Sequence, residues 1–239
     1  MNKHSQKQHV TGSVNVSASV DKRGHVRKQH VRTQQLLAKY EKAGHIISPR
    51  FDAALTMATQ AHDGQVRKGA KDEHGNPVPY ITHPVAVAAL VAKYGGDEDQ
   101  AIAGMLLDVL EEGGPQWVHP FLSAFGSRVL SIVEACTDGK PDASGKKAPW
   151  LERKTSYLDH LLHEHDDALL VSACDKLHNI TAIHDDLMAT GPGVFDRFSS
   201  SREQTLWYYR RLSEIFAMRK IAPASAISGQ YKQIIDGLK

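Results

Sequence analysis

The sequence predicts an all-α protein built around a single helical domain. From Ser48 onward, apolar residues recur at the three- and four-residue spacing of helix faces. Two pairs of residues, one at Asp97 and Gln100 and one at Ser200 and Glu203, match the capping box that opens many helices. No segment of this region alternates between apolar and polar residues as a half-exposed strand does.

The individual helices follow from these signals in chain order. Ser48 and Pro49 are the residue types of an N-cap and a first-turn proline, and Pro84 begins the next helix. The box at Asp97 opens a segment that is helical over 101–111. We expect a loop at 68–79 and further helices over these ranges: 118–124, 126–136, 150–164, 167–187, 201–219 and 224–237.

The first 33 residues differ from the rest of the chain in composition. They contain seven Lys and Arg residues, one Asp, and no Leu, Ile or aromatic residue. Such a segment cannot bury enough apolar surface to offset its ordering entropy, so we expect 1–33 to be a disordered basic extension. A short helix is expected over 33–43, and the domain itself over 34–239. Binding of the extension to RNA, a membrane or another protein is an open alternative to a solvated tail.

Composition excludes several classes of protein. The 239 residues carry a net charge of +2, and only two are cysteines, which cannot form a disulfide scaffold. The apolar run 101–107 is far shorter than the roughly 20 residues of a membrane span. Without an apolar signal core near the N-terminus, we expect a cytoplasmic protein. A basic tail on a mildly acidic body is not typical of a dedicated nucleic-acid-binding fold.

Two carboxylates lie inside helices that are apolar on nearly every face. Asp108 follows the run 101–107, and Asp175 lies within the apolar segment 168–179. A helix that is apolar all round is a buried helix, and a buried charge needs a cation, a metal or a proton. Each Asp alone could pair with an Arg or cap another helix. Two such helices in one domain favour a metal site, with oxygen ligands that suit Mg²⁺, Mn²⁺ or Fe.

Three further residues can complete this site. His83, just before Pro84, can point into the same cleft, although a lone His is often structural. Glu111 and Glu112 follow Asp108 by three and four residues and share its helix face, where they can orient a water or carry a proton. A solvated helix end explains the two glutamates equally well.

Phosphate and sugar contacts have their own candidates. Arg67 and Lys68 can bind phosphate, and Arg67 can stack on a base, although a solvated basic helix end is the simpler interpretation. Asn179 shares a face with Asp175 and can bind a sugar or phosphate, or satisfy a backbone group. His160 and His163 also share a face, but their charged surroundings indicate an exposed helix end.

Taken in order, these segments resemble a known family. They are Ala61–Lys68, Pro79–Pro84, Asp108–Glu112 and Cys174–Asn179, together with two additional segments, Trp150–Tyr157 and Arg202–Arg210. The ordered set, over about 48–220, is similar to the HD-domain hydrolases of the Rel/Spo alarmone enzymes, and most of all to the small alarmone hydrolases.

The resemblance implies a helical HD-domain fold and a Mn²⁺-dependent hydrolase. Such enzymes remove the 3′-pyrophosphate from ppGpp or pppGpp, and some relatives act on adenosine analogues. By this resemblance, the metal ligands are His83, Asp108 and Asp175. The acidic pair Glu111 and Glu112 handles the attacking water, and the nucleotide contacts are Arg67, Lys68 and Asn179. His62 matches a family residue whose role does not follow from the sequence.

The chain departs from the family at one important position. Where the family has the His of its His-Asp pair, this sequence has Leu107, which cannot bind a metal. Three interpretations remain open: an engineered or accidental variant of an active enzyme, a natural member that holds metal weakly, or a degenerate member that binds nucleotide in a regulatory role without cleaving it.

Overall fold

A computed structural model describes residues 48–112, 118–138 and 146–239. They lie in one compact unit that extends from Ile46 to Lys239. The expected basic extension and the helix expected over 33–43 fall outside the described residues.

The described chain is helical apart from one small hairpin, as the sequence predicts. None of its helices is both long and apolar enough to cross a bilayer. The elements, in order, are α1 (Pro49–Ala61), β1 (Val66–Lys71), β2 (Pro77–Pro79), α2 (Thr82–Lys93), α3 (Glu98–Leu106), α4 (Val109–Glu112), α5 (Val118–Phe125), α6 (Ser127–Cys136), α7 (Trp150–His163), α8 (Asp166–Thr190), a 3₁₀ helix (Pro192–Arg197), α9 (Arg202–Met218) and α10 (Ala224–Gly237).

Helix α8 is the central element of the fold. Its residues Ala168 and Val171 pack into an apolar cluster formed with α1 to α6. On other faces, Leu169 and Ala173 pack into a second cluster formed with α7, α9 and α10. Because α8 is covered by both clusters, nearly every residue of its segment 168–177 is buried, and Asp175 is one of them.

The prediction of a loop over 68–79 is wrong, because this region contains most of the antiparallel strands β1 and β2, with Val66 opposite Pro79. Both strands have mostly exposed or half-exposed side chains, so no apolar alternation marks them. At the turn, Asp72 accepts hydrogen bonds from two backbone amides at 2.8 and 2.9 Å. Gly69 has a φ of 73°, and a Cβ there would lie only 2.9 Å from Cδ of Arg197.

Side-chain caps mark the N-termini of α1, α3 and α9. The hydroxyl of Ser48 accepts from the backbone of α1, and Asp97 forms the predicted capping box with Gln100. The second box is displaced by one residue from the prediction: Ser201, not Ser200, caps α9. The Ser200 hydroxyl is buried and lies 2.9 Å from Oγ1 of Thr205 instead.

The helix expected over 101–111 is interrupted. Helix α3 begins earlier, at Glu98, and ends at Leu106, and α4 follows after a turn at 107–108. Asp108 therefore lies in a turn between two helices rather than inside one. Its side chain is 15% exposed, so it is less deeply buried than the sequence suggests.

Candidate active site

Asp175 is the most enclosed acid of the candidate site. Its carboxylate contacts the ammonium group of Lys176 and accepts a 2.7 Å hydrogen bond from Nδ2 of Asn179, one turn later on α8. Burial alone would raise the pKa of Asp175, but the charge of Lys176 and the hydrogen bond from His83 outweigh it and hold the pKa well below its usual range. The ionised carboxylate is thus the form that this environment stabilises.

His83 lies in the first turn of α2, which begins at Thr82 rather than at Pro84. Its side chain is 2% exposed. Nε2 of the ring lies 3.1 Å from Oδ1 of Asp175 and 3.6 Å from Oδ2 of Asp108, so His83 lies between the two carboxylates. Nδ1, on the other side of the ring, lies 2.8 Å from Nδ1 of His178. Burial, with the neighbouring His83 and Arg67, lowers the pKa of His178 to about 4.

The Asp108 carboxylate is held by a tyrosine. The hydroxyl of Tyr80 donates a 2.7 Å hydrogen bond to Oδ2 of Asp108. Burial raises the pKa of Tyr80 well above its usual value, and the charge of Asp108 adds to this effect, so Tyr80 remains a hydrogen-bond donor. The role of Tyr80 was not predicted, although it stands in the Pro79–Pro84 segment that carried the resemblance.

Glu111 pairs with a lysine from a distant part of the chain. On α4, its carboxylate contacts the ammonium group of Lys147, which precedes α7. Burial raises the pKa of Glu111, and Lys147 partly opposes this shift. A raised pKa makes the Glu111 carboxylate a stronger base than an ordinary glutamate. The side chain of Glu112 lies outside the described part of the structure.

Arg67 and Lys68 lie on β1, so the expected helix end at these residues is wrong. Nη2 of Arg67 donates a 2.8 Å hydrogen bond to Oδ1 of Asn179, and its guanidinium lies 5.7 Å from the Tyr80 ring centroid. Asn179 thereby links Arg67 to Asp175. The predicted shared face of Asp175 and Asn179 is confirmed by their hydrogen bond.

A cavity of about 300 Å³ lies beside this group of residues and combines cationic with aromatic side chains. Such a lining suits a phosphorylated nucleoside, which needs charge for phosphate and flat surfaces for a base. The cavity is lined by Arg67, Lys68, Ala70, Tyr80, Trp150, Lys154, Asn179, Ala182, Ile183, Asp186, Arg197, Phe198, Ser200, Thr205, Tyr208 and Tyr209.

Much of the far wall was missed by the sequence interpretation. Arg197 donates a 2.6 Å hydrogen bond to Asp186, and its buried Nε has no hydrogen-bond partner among the described residues. The same is true of the buried hydroxyl of Tyr208. These residues come from the 3₁₀ helix and α9, more than a hundred positions after Arg67, so no local spacing could have assigned them to one cavity.

The donor atoms fit a divalent cation in chemical type but fall short in number. Two ligand atoms about 2.1 Å from one ion and at right angles lie about 3.0 Å apart, close to the distance between His83 and Asp175. One imidazole and two carboxylates suit Mg²⁺ or Mn²⁺. Yet within 48–112, 118–138 and 146–239, no group of three or more His, Cys, Asp or Glu side chains is placed so that it could hold a metal ion. Leu107, next to Asp108, is 5% exposed, and its side chain has no donor atom for a metal.

His160 and His163, the other histidine pair, lie on the surface of α7, as expected. Nε2 of His160 lies 2.7 Å from a carboxylate oxygen of Glu164, and the His160 side chain is 46% exposed. His163 belongs to the same last turn of α7. Neither side chain lines the cavity beside Asp175.

A family profile and individual relatives match the chain, and these matches agree with one another. The profile of the HD-domain family matches residues 54–198. Over 131 residues, the chain is 33% identical to guanosine-3′,5′-bis(diphosphate) 3′-pyrophosphohydrolase MESH1 of Xenopus tropicalis, which corresponds to 54% of this chain and 69% of the relative. It is 31% identical over 131 residues to a guanosine-3′,5′-bis(diphosphate) 3′-pyrophosphohydrolase of Borreliella burgdorferi, again 54% of this chain but only 18% of that longer relative.

Solved structures agree at the level of the fold. The crystal structure of lmo0812 from Listeria monocytogenes superimposes with a TM-score of 0.56 at 22% sequence identity. The match covers 64% of this chain and 99% of that one. At this identity the likeness supports the helical fold and nothing beyond it.

Proposed function

Because the chain belongs to the HD-domain family, we propose that it is a metal-dependent 3′-pyrophosphohydrolase of ppGpp, pppGpp or a related nucleotide alarmone. One observation carries the proposal: His83 lies between the carboxylates of Asp108 and Asp175. Tyr80 and Asn179, which donate hydrogen bonds to these carboxylates, line a cavity that combines cations with aromatic rings. Two relatives bear the name of this activity. The match covers only 18% of the longer relative, so the activity of these relatives is proposed for the chain.

The proposed metal ligands are His83, Asp108 and Asp175, and the proposed ion is Mn²⁺. Such an ion lowers the pKa of a bound water and polarises a phosphoryl oxygen. Because Leu107 supplies no donor, we expect the affinity for metal to be low. Lys176 contributes a positive charge next to Asp175.

The remaining residues have proposed roles in binding and proton transfer. Glu111, with Glu112, orients the attacking water and takes its proton. The water oxygen bonds to the 3′-linked phosphorus and the bond from this phosphorus to the ribose 3′ oxygen breaks. The 3′ oxygen takes up a proton from the protonated glutamate or from solvent, so that the products are pyrophosphate and the nucleotide with a free 3′-hydroxyl. Arg67 and Lys68 neutralise phosphate charge, Arg67 also offers a flat face to the base, and Asn179 contacts the nucleotide while it holds Arg67.

A second candidate function is nucleotide binding without cleavage. It is favoured by Leu107 and by the contacts that already engage both carboxylates, from Lys176 to Asp175 and from Tyr80 to Asp108. In this case the cavity would act as a regulatory binding site. The cytoplasm remains the expected location. Both cysteines, Cys136 and Cys174, are free and buried, as expected of a protein from a reducing compartment.

Calorimetry of the full-length protein with ppGpp separates the two functions. The hydrolase predicts binding that is strengthened by Mn²⁺, together with release of pyrophosphate. The regulatory alternative predicts tight, metal-independent binding without turnover. Absence of ppGpp binding under both conditions contradicts both functions.

Arg67 offers a test of the nucleotide site that does not depend on metal. Replacing Arg67 by Ala removes the guanidinium that contacts Asn179 and lies over Tyr80, so we expect ppGpp affinity to fall about 10- to 100-fold, the equivalent of one or two charge-assisted hydrogen bonds. Arg67→Lys keeps the charge but not the planar fork, and we expect it to restore only part of the affinity. Equal affinity for ppGpp in all three proteins, measured by calorimetry, is incompatible with the proposed role.

Lys147 offers a test of Glu111 through pH. Glu111 must be ionised to accept a proton, so the rate should rise as pH increases through its pKa. Lys147 lowers this pKa against the effect of burial, so Lys147→Met should raise it and move the acid limb of the pH–rate profile to higher pH. Lys147→Arg, which keeps the cation, should leave the limb in place. The profiles are best measured in a Leu107→His background, where we expect faster turnover. An acid limb that does not move in Lys147→Met argues against Glu111 as the base.

A further inference from the structure

His83 forms a pair with His178, and the two ring nitrogens of His83 have different neighbours. Nε2 lies between the carboxylates of Asp108 and Asp175. Nδ1 lies 2.8 Å from Nδ1 of His178, which is on α8, one turn after Asp175. The two ring centroids are 4.8 Å apart and the planes are tilted by 44°.

Hydrogen-bond chemistry restricts where the protons of this pair can be. A neutral imidazole carries one N–H and one lone pair, and a 2.8 Å contact between two nitrogens needs one donor and one acceptor. An ionised carboxylate only accepts. Without a cation, the proton of a neutral His83 is therefore on Nε2, facing Asp175, and its Nδ1 accepts from His178.

Cation binding requires the opposite arrangement. Nε2 of His83 must then present its lone pair, so its ring proton must be on Nδ1, where it donates to Nδ1 of His178. The shared proton moves from His178 to His83 across the contact. The proton displaced from Nε2 of His83 is balanced by one taken up through water at Nε2 of His178. Both rings stay neutral, and no proton is gained or lost overall.

The surroundings of His178 permit this exchange. Its side chain is only partly buried, and it borders a second cavity, between α2, α8 and α10, that is separate from the proposed nucleotide cavity. Water can therefore reach the ring without passing the carboxylates. His83 Nε2 lies within 3.6 Å of both carboxylates, and Leu107 offers no second imidazole, so the orientation of this one ring matters more than in a site with two histidines.

We propose that His178 is a positioning residue that fixes the ring of His83 and the tautomer in which Nε2 can bind a divalent cation. The inference rests on the proposed metal-dependent function. Hydrogen-bond partners behind metal-binding histidines typically contribute 10- to 100-fold to metal affinity. In contrast to the family motifs, this role follows from the two distances at the ring of His83.

Two kinds of substitution separate hydrogen bonding from packing. His178→Asn places an amide near the position of Nδ1, and an amide can both donate and accept. His178→Phe keeps a ring but can do neither, and His178→Leu is a second such variant if the first does not fold. Affinity for Mn²⁺ is measured in the full-length protein from the electron paramagnetic resonance signal of the free ion. Each variant is made in the wild-type and Leu107→His backgrounds, and folding is checked by circular dichroism.

We expect His178→Phe and His178→Leu to weaken Mn²⁺ binding by about 10- to 100-fold, and His178→Asn to restore most of it. Folded Phe or Leu variants that bind Mn²⁺ like their parent overturn the inference, and so does an Asn variant as weak as the Phe variant. If neither parent, including Leu107→His, binds Mn²⁺, the proposed metal site itself is wrong. That outcome is distinct from a failure of His178 alone.

Discussion

Replacing Leu107 by His is expected to raise both the affinity for Mn²⁺ and the rate of pyrophosphate release from ppGpp by at least about 100-fold. Partners that only orient a metal ligand already contribute 10- to 100-fold, and a direct ligand contributes more. Leu107 is adjacent to Asp108 and has helical backbone angles (φ −56°, ψ −34°), which His readily adopts. The variant loses part of the roughly 1.5–3 kcal/mol that burial of a Leu side chain contributes, so a modest fall in stability should accompany the gain.

The matched control is Leu107→Met, which keeps the volume and apolar character of the side chain but adds no imidazole. We expect it to bind Mn²⁺ and hydrolyse ppGpp as the wild type does. Binding of Mn²⁺ is measured by titration and turnover by pyrophosphate release, on protein verified as folded. A folded Leu107→His variant with unchanged Mn²⁺ affinity and rate would place residue 107 away from the proposed metal site.

Replacing Asp175 by Asn is expected to lower the free energy of unfolding by about 3–5 kcal/mol. The variant leaves the ammonium group of Lys176, which is buried, without its anionic partner, and removal of one member of a buried ion pair carries this cost. Stability is measured by urea denaturation. Adding Lys176→Met to Asp175→Asn should recover part of the loss, because no unpaired charge then remains.

The same residue predicts a pH dependence. The pKa of Asp175 is lowered in the folded state, so its contribution to stability is present above the unfolded pKa of about 3.9 and is lost as pH falls through the folded value. The Asp175→Asn variant has no carboxylate to protonate, so its free energy of unfolding should fall less than that of the wild type as pH decreases through this range. Asp185→Asn, exposed on the same helix, is the control and should change stability by no more than about 0.5 kcal/mol. A loss for Asp175→Asn as small as that of the control contradicts the buried-pair account.

Local signals predicted those parts of the fold that depend on nearby residues. The caps at Ser48 and Asp97 are set by hydrogen bonds within a single turn, so residue type and spacing were sufficient. The link from Asp175 to Asn179 follows equally from helical periodicity. The hairpin could not be found in this way, because both of its faces are largely solvated and its ladder is made by backbone atoms.

Other features depend on packing that no short segment encodes. The break at 107–108 separates α3 from α4, and the apolar pattern of 101–110 continues through this break unchanged. Lys147 contacts Glu111, and Arg197 lines the same cavity as Arg67. In both cases the two residues are far apart in sequence. The resemblance to a family located the motif residues, but the partner of His83 at His178 required coordinates.

The most direct measurement is a phosphorus NMR time course of ppGpp incubated with the full-length protein and Mn²⁺, with Leu107→His in parallel. The proposed function predicts equal amounts of pyrophosphate and guanosine 5′-diphosphate, formed faster by Leu107→His and abolished by a chelator. Release of orthophosphate instead, or intact ppGpp in both proteins, would contradict it.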